Sequence, residues 1–528
     1  MTGGVLQPPV SRRVLNLGDL MTQTARRLPE HTAFVWGEQS WTWAEQNARV
    51  DAFAHALNAA GIEKGDRVLV QARNSNQMFE TMFACFKAGA VCVPVNFRMA
   101  PPELAYIAGH SGAIAIVRDD IFADHAAAAL EKMPECRLHA VFGQPEGDQQ
   151  DYEALVAAHH GKMFHSARVD YDDACWFFFT SGTTGHPKAA VLTHGQMGFV
   201  VTNHLADLLP GTTHEDASLV VAPLSHGAGI HQLTQVARGA RTVLLAGERL
   251  DPEEAFRLIE DHRVSNMFTV PTILKRLAES DAADAHDHSS LRHVIYAGAP
   301  MYRSDQQMIL ERLGKCIVQY FGLGEVTGNI TVLPAHEHDA DDAVQTCGPS
   351  CGYARTAMDV RIFDMDGNPC SPEEQGEICV AGPAVFAGYY DNDEANEKAF
   401  RNGFFRTGDL GFLDEAGYLT ITGRASDMYI SGGSNIYPRE IEEVILTHPA
   451  VAEVAVLGLP DEQWGEAGAA VLVLKPESDL QPEALTAWLG DKIARYKLPK
   501  HVVVWDELPK SAYGKVPKRL IREKLIAG

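Results

Sequence analysis

The chain has 528 residues, enough for more than one domain and a sizeable core. Hydrophobic residues make up 46%, the share of an ordinary globular protein rather than of a disordered or fibrous one. Its 69 acidic residues against 45 basic ones leave a formal charge of -24, which argues against extended nucleic-acid binding because that function needs a basic face.

The first residues, "MTGGVLQPPVSRRVLNLGDL", lack the continuous apolar run of a secretory signal. "SWTWAEQNARVDAFAHALNAAG" reads as a strand-like piece and then a helix with Val50, Phe53, Ala54 and Leu57 on one face. Gly61 and Gly65 stop it before the strand "RVLVQA". The most apolar stretch, "MFACFKAGAVCVPVNF", is broken by Lys87, Gly89 and Pro94 and is too short to span a membrane. It reads as a buried helix followed by a strand. The nine cysteines sit mostly in apolar surroundings, as at Cys85, Cys92 and Cys379, and Cys347 with Cys351 has no second pair at zinc-ligand spacing. Reduced core thiols and a cytoplasmic location are expected.

"SLVVAPL", "RTVLLAG", "HVIYAGA" and "CIVQYFG" are short β-rich runs with helical stretches between them, the pattern of α/β layers built on largely parallel sheets. "SDAADAHDHSS" at 280–290 reads as an exposed loop, and "HEHD" at 336–339 as a solvated one. From about Asp359 the strands are closely spaced, with a turn at Asp366-Gly367, which predicts a β-rich subdomain. After Asp427 comes a smaller α+β unit. In it Pro438 opens a helix, the strands "EVAVLGL" and "GAAVLVLKP" follow, and the helix "ALTAWLGDKIARY" leads to the strand "HVVVW". The boundary falls near 423–427, giving expected domains of 1–425 and 426–528.

Within the first domain, Thr180–His194 reads "TSGTTGHPKAAVLTH". Backbone N–H groups at Gly182 and Gly185 can approach phosphate oxygens with no Cβ in the way. The hydroxyls of Thr180, Ser181, Thr183 and Thr184 add donors, and Lys188 adds a point charge. A Walker loop is disfavoured, because no Gly-Lys pair in the chain is followed by Ser or Thr. Read alone, the stretch is also open to being a polar surface hairpin.

This stretch resembles the phosphate-binding signature of the adenylate-forming superfamily, which includes acyl-CoA synthetases. Further signatures follow in that family's order: "VIYAGAP", "YFGLGEVTG", "GFFRTGDLGFLDEAGYLTITGRASDMYISGGSNIYPREIEEVI" and "LPKSAYGKVPK". The resemblance covers nearly the whole chain. It implies a large N-terminal adenylation domain and a small mobile C-terminal domain. It also implies ATP, Mg2+ and coenzyme A as cofactors and co-substrates. The loop from Thr180 to Lys188 would hold the phosphates, with Thr184 and Glu325 at the metal, while Gly298, Ala299, Pro300, Phe321 and Gly322 would wall the adenine. Asp409 would bind the ribose, and Arg424 would contact ribose or phosphate. Lys515 would be the mobile catalytic lysine and Ser426 the hinge. Gly432, Gly433 and Trp464 would line the path of the CoA arm. His226 would gate or orient the acid, unless it is a core histidine. Ile230, Val270, Gly298, Gly322 and Leu323 would be walls of the acyl pocket. One departure stands out: Gly324 occupies the place where the family usually has threonine, and Thr327 is a candidate to compensate. The alternative for Glu325 is a buried glutamate paired with an arginine.

The expected function is an acyl-CoA ligase for an apolar monocarboxylic acid, aromatic or short-to-medium in chain. The expected partners are small molecules, with no nucleic acid and no integral membrane segment, and a homodimer is the expected assembly. The rival within the fold is a stand-alone adenylation enzyme loading a carrier-protein thiol or an amine. The rival of another class is an inert nucleotide-binding scaffold.

Overall fold

The computed structural model describes residues 13–180, 187–247, 249–299, 301–342, 350–431, 434–461, 463–490, 492–510 and 516–527. Two large sheets form the N-terminal body. The first has nine strands. Six of them run parallel and neighbour one another in the order Ile317–Phe321, His293–Tyr296, Asn266–Thr269, Ala217–Val220, Arg241–Leu244 and Thr32–Trp36, and antiparallel strands close both edges. The second has seven strands, parallel apart from an edge hairpin formed by Ala174–Thr180 and Lys188–Thr193. Helices cover these sheets, as near-continuous apolar strands require.

The helices start and stop where local chemistry dictates. Thr42 caps the helix Trp43–Ala59 and forms a reciprocal capping box with Glu45. Ser75 caps Asn76–Ala88, which ends at Gly89 in the left-handed region, φ 73°. Every residue of this helix but Gln77 is buried, Lys87 included. The Lys87 ammonium is tolerated there because it lies 2.5 Å from Asp51 and 2.7 Å from Asn47.

A five-stranded antiparallel sheet follows, built from Asp359–Phe363, Gly376–Ala381, Phe400–Arg401, Phe404–Leu413 and Leu419–Arg424. A further five-stranded sheet, with the helix Pro438–Leu446 on it, makes the C-terminal unit around a small core of its own that includes Tyr429, Ile441, Ile445 and Leu472. Pro438 is the first helical residue, as its sequence position predicts. The helix lies against the strand Leu419–Arg424 and over Tyr302. Burial beneath it, with Glu442 and Glu443 nearby, raises the Tyr302 phenol above its ordinary pKa.

Three local expectations are corrected. The 280–290 run contains a short helix, Ala282–Ala285, with Ala282 and Ala283 buried, and His286 bonds to Glu253 and Glu260. Within 336–339, His338 is buried, bonding to Pro334 O at 3.0 Å and to the Tyr296 hydroxyl at 3.1 Å. The helix expected over 484–496 spans only Pro482–Leu489. Among the described residues, no helix is long and apolar enough to cross a membrane.

Candidate functional site

The hairpin carrying the glycine-rich stretch is rooted in the core. Trp176, Phe177 and Phe179 are buried, and Thr180 stands opposite Lys188 in the antiparallel register. The Thr180 hydroxyl donates to Glu325 Oε1 at 3.0 Å. The Tyr389 phenol donates to the same oxygen at 2.9 Å. The Phe386 N–H binds the Glu325 carbonyl at 2.8 Å, fixing the short turn that presents the side chain. Lys188 Nζ lies 5.1 Å from the centre of the Tyr389 ring. Burial, and then the charge of Glu325, raise the Tyr389 phenol above its ordinary range, so it keeps its proton and remains a donor.

Glu325 is only 5% exposed, and among the described residues its partners are hydroxyls rather than an arginine. Both bonds reach Oε1 and leave Oε2 free of such contacts among the described residues. A carboxylate oxygen in that condition, with hydroxyls beside it, is a hard donor that fits Mg2+. Ser181, Gly182, Thr183, Thr184 and Gly185 lie outside the described residues, as do Pro300, Gly432, Gly433 and Lys515.

Three adjacent parallel strands end beside this corner, the third running on into the turn that presents Glu325. Val270 follows the first strand, Gly298 and Ala299 follow the second, and Phe321 and Gly322 end the third. Ligands bind at such strand ends in open α/β sheets. Gly298 and Ala299 are exposed, while Val270, Phe321, Gly322 and Leu323 are partly so. Gly298 has φ 82°, and a Cβ built on it would lie 3.9 Å from Val270 Cγ1. Gly322 must be glycine because a Cβ there would fall 2.4 Å from Gly328 Cα.

Asp409 is buried on the strand Phe404–Leu413 and faces Arg424 in the neighbouring strand. Arg424 Nε donates to Asp409 Oδ1 at 2.9 Å, so the two residues expected at the ribose are bound to each other here. Ser426 follows in an exposed turn in which the Asp427 N–H bonds to Arg424 O. Trp464 stands exposed in the C-terminal unit with Lys500 Nζ 4.7 Å from its ring centre. It is not drawn into the Thr180–Glu325 corner.

His226 is the residue preceding the helix Gly227–Arg238. It is partly exposed, bonds through Nδ1 to the Ser225 hydroxyl at 2.8 Å and meets the Phe178 ring edge-to-face at 5.2 Å. This is no sealed core histidine. Ile230, one turn on, is 4% exposed and packs into the core, so it presents little surface to a ligand.

Thr327 does not replace a threonine at 324. It is buried at φ 50°, its hydroxyl donates to Val326 O at 2.7 Å, and Asn329 donates to that hydroxyl at 2.9 Å. The volume above Gly324 is already filled: a Cβ there would lie 2.6 Å from Phe178 Cδ1 and 3.0 Å from Thr180 Cγ2. Sequence reasoning missed Phe178 and Tyr389. The signals available were the aromatic run before Thr180, which alternates faces along a strand, and the paired tyrosines at 389–390.

Comparisons with known proteins agree with this arrangement. Residues 21–390 match the AMP-binding enzyme family, and residues 440–515 match the AMP-binding enzyme C-terminal domain. Feruloyl-CoA synthase of an Amycolatopsis species is 35% identical over 96% of this chain and 99% of its own. The long-chain-fatty-acid–CoA ligase FadD13 of Mycobacterium tuberculosis is 33% identical over 97% and 99%. The o-succinylbenzoate CoA synthetase of Bacillus subtilis, solved with its acyl-adenylate intermediate, superposes with a TM-score of 0.83 at 30% identity, covering 96% of this chain and 97% of its own. The chain belongs to the AMP-binding enzymes of the adenylate-forming superfamily and is an ATP-dependent, AMP-forming acid–CoA ligase.

Proposed function

We propose that the acid is an apolar monocarboxylate, aromatic or short-to-medium in chain, as the walls Val270, Gly298, Gly322 and Leu323 favour. A carboxylate oxygen of the acid attacks the α-phosphorus of ATP. An acyl–phosphate bond forms as the α–β bridge breaks, and pyrophosphate leaves. The CoA thiol then adds to the acyl carbonyl, losing its proton, and AMP leaves with the electron pair of the broken C–O bond. The single observation carrying this reading is the convergence of Thr180, Lys188, Tyr389 and the Glu325 carboxylate beside the ends of the parallel strands.

In this reading Glu325 and Thr184 would hold Mg2+, which would supply charge neutralisation at the phosphates. Thr180, Ser181, Thr183, Lys188 and the amides of Gly182 and Gly185 hold the departing pyrophosphate. Donors fixed in advance serve best where charge develops. Phe321 stacks on the adenine against Gly298–Pro300, and Asp409 exchanges Arg424 for the ribose hydroxyls. Residues 1–425 form the adenylation domain. Residues 426–528 swing about Ser426, bringing in first Lys515 and then Gly432, Gly433 and Trp464 for the CoA arm. Lys518, three positions after Lys515, pairs with Glu442 at 2.7 Å, and the charge of Glu442 is felt at Tyr302, two positions after Pro300. The eight described cysteines are free, which supports a cytoplasmic enzyme.

The test is acid-dependent ATP–pyrophosphate exchange followed by thioester formation with CoA. Acid-dependent exchange with acyl transfer to CoA supports the proposal. Exchange with transfer only to a carrier thiol or an amine overturns the acceptor assignment, and no exchange with any acid overturns the chemistry. Lys515→Ala is expected to cripple exchange by about 10²-fold or more. It should leave thioester formation from supplied acyl-adenylate largely intact. Equal losses in both half-reactions would contradict the swinging-domain assignment.

A further inference from the structure

Along the strand Ala174–Thr180 successive side chains alternate faces, so Trp176, Phe178 and Thr180 share one. Thr180 on that face meets Glu325. Phe178 therefore stands one step back from the proposed phosphate corner, on the same side, and it remains only partly buried. Its ring fills the space in which any side chain at 324 would have to sit.

The ring is not isolated. It meets His226 edge-to-face, with an interplanar angle of 77°. The next residue, Gly227, could carry no side chain: a Cβ there would lie 2.6 Å from Phe268 Cζ. Phe268 in turn stacks on Tyr320, with centroids 6.0 Å apart and an interplanar angle of 26°. A Cβ on Gly328 would fall 2.5 Å from Tyr320 Cε2. Three rings, Phe178, Phe268 and Tyr320, are thus each seated against a glycine whose missing side chain gives them room. Phe178 with His226 makes one ring contact near the Glu325 corner, and Phe268 with Tyr320 makes another against Gly227 and Gly328. Of the three, Phe178 is the least buried, and it shares its strand face with Thr180, which bonds Glu325.

We infer that Phe178, seated over Gly324, is the specificity-determining wall of the acyl site and selects acids that are planar next to the carboxyl group, aromatic or α,β-unsaturated. The inference rests on the proposed function, which seats the phosphates at the Thr180–Glu325 corner and so brings the carboxylate that attacks the α-phosphorus up beside that corner. The first carbons of the acid then lie against the Phe178 ring. Flat sp2 carbons keep full contact with an aromatic face or edge, whereas a tetrahedral or branched carbon contacts it less closely. The same ring explains Gly324. The polar side chain expected there has been replaced by an apolar ring reaching across from the neighbouring strand, so the carboxyl end of the pocket is shaped by packing rather than by a hydroxyl at that position.

The test measures kcat and KM for the acid, the KM for ATP and the thermal midpoint. It uses cinnamate, 3-phenylpropanoate and octanoate in pyrophosphate exchange. The unaltered enzyme is expected to favour cinnamate over 3-phenylpropanoate by about fivefold to tenfold in kcat/KM. Phe178→Ala should reduce that ratio towards one by raising the KM for cinnamate, with the thermal midpoint and the KM for ATP little changed. Phe178→Leu should do the same with its packing better preserved. Gly324→Thr should lower kcat with every acid, because its Cβ meets the ring. The pair Phe178→Leu with Gly324→Thr should recover kcat without recovering the preference. An unchanged ratio in both Phe178 variants overturns the inference, as does full activity and selectivity in Gly324→Thr. An unaltered enzyme that exchanges pyrophosphate with no acid instead removes the functional reading beneath it.

Discussion

Glu325 accepts two hydroxyl donors on one oxygen while its other oxygen makes no such contact among the described residues. That asymmetry gives the first prediction. Glu325→Gln keeps the shape but removes the charge, and pyrophosphate exchange should fall by about 10²- to 10³-fold, the cost of losing one preorganised stabiliser of transition-state charge. A loss below tenfold would mean that the carboxylate does not serve the phosphates. The identity of Glu325 was legible in the sequence from "YFGLGE", but its partners were not. Tyr389 lies 64 positions away, and only the antiparallel return of the chain beside the hairpin brings it to the carboxylate. Phe178 escaped notice for a related reason. An aromatic residue in a strand run reads as core, and whether its ring also bounds a crevice depends on what the facing turn leaves empty.

At the scale of elements, Glu442 is the point where three segments meet. It lies on the helix Pro438–Leu446, accepts the Val456 N–H at 2.8 Å from the strand Val451–Asp461, and pairs with Lys518 at the start of the C-terminal helix Lys518–Ala527. Glu442→Ala would strand a buried amide and leave a cation without its partner. The C-terminal unit should lose about 2–4 kcal/mol in denaturant unfolding. Exchange activity should fall with it, since the tail that carries Lys515 is anchored there. Glu442→Gln should retain the amide contact and about half of the lost stability. The alternating strands and helices of both domains were readable from periodicity and punctuation. The helix expected over 484–496 was not: it ends at Leu489, and a separate 3-10 turn, Arg495–Lys497, takes the segment beyond. Apolar spacing could not resolve that break.

For the whole molecule, pH should act through histidines locked in the interior. Burial holds His194, His231 and His338 at about 4, and His204 lies well below its ordinary value, with Arg355 adding to the effect. His194 Nδ1 accepts the Leu17 N–H, so its protonation would set donor against donor, and a protonated His204 would face the Arg355 guanidinium in a buried site. The unfolded chain takes up these protons near pH 6.5 and the folded one only near or below 4. Folding stability is therefore complete above about pH 6.5 and is lost progressively as the pH falls towards 4. Each ring contributes up to about 2 kcal/mol of that loss by pH 5. Urea midpoints measured between pH 7 and pH 5 should drop steeply, and a flat profile would mean that these rings are hydrated in solution.

The contact between Asp409 and Arg424 matters most at this scale. A protein of formal charge -24 must admit a nucleotide that is itself strongly anionic. With its guanidinium partner in place, the buried carboxylate presents no bare negative charge to an approaching triphosphate. On the proposed reading it would become available only as the sugar arrives, with the arginine released to face phosphate instead. Loading such a cleft is a partner exchange that conserves local charge, so weakening this one ion pair should slow the entry of ATP more than it disturbs the fold.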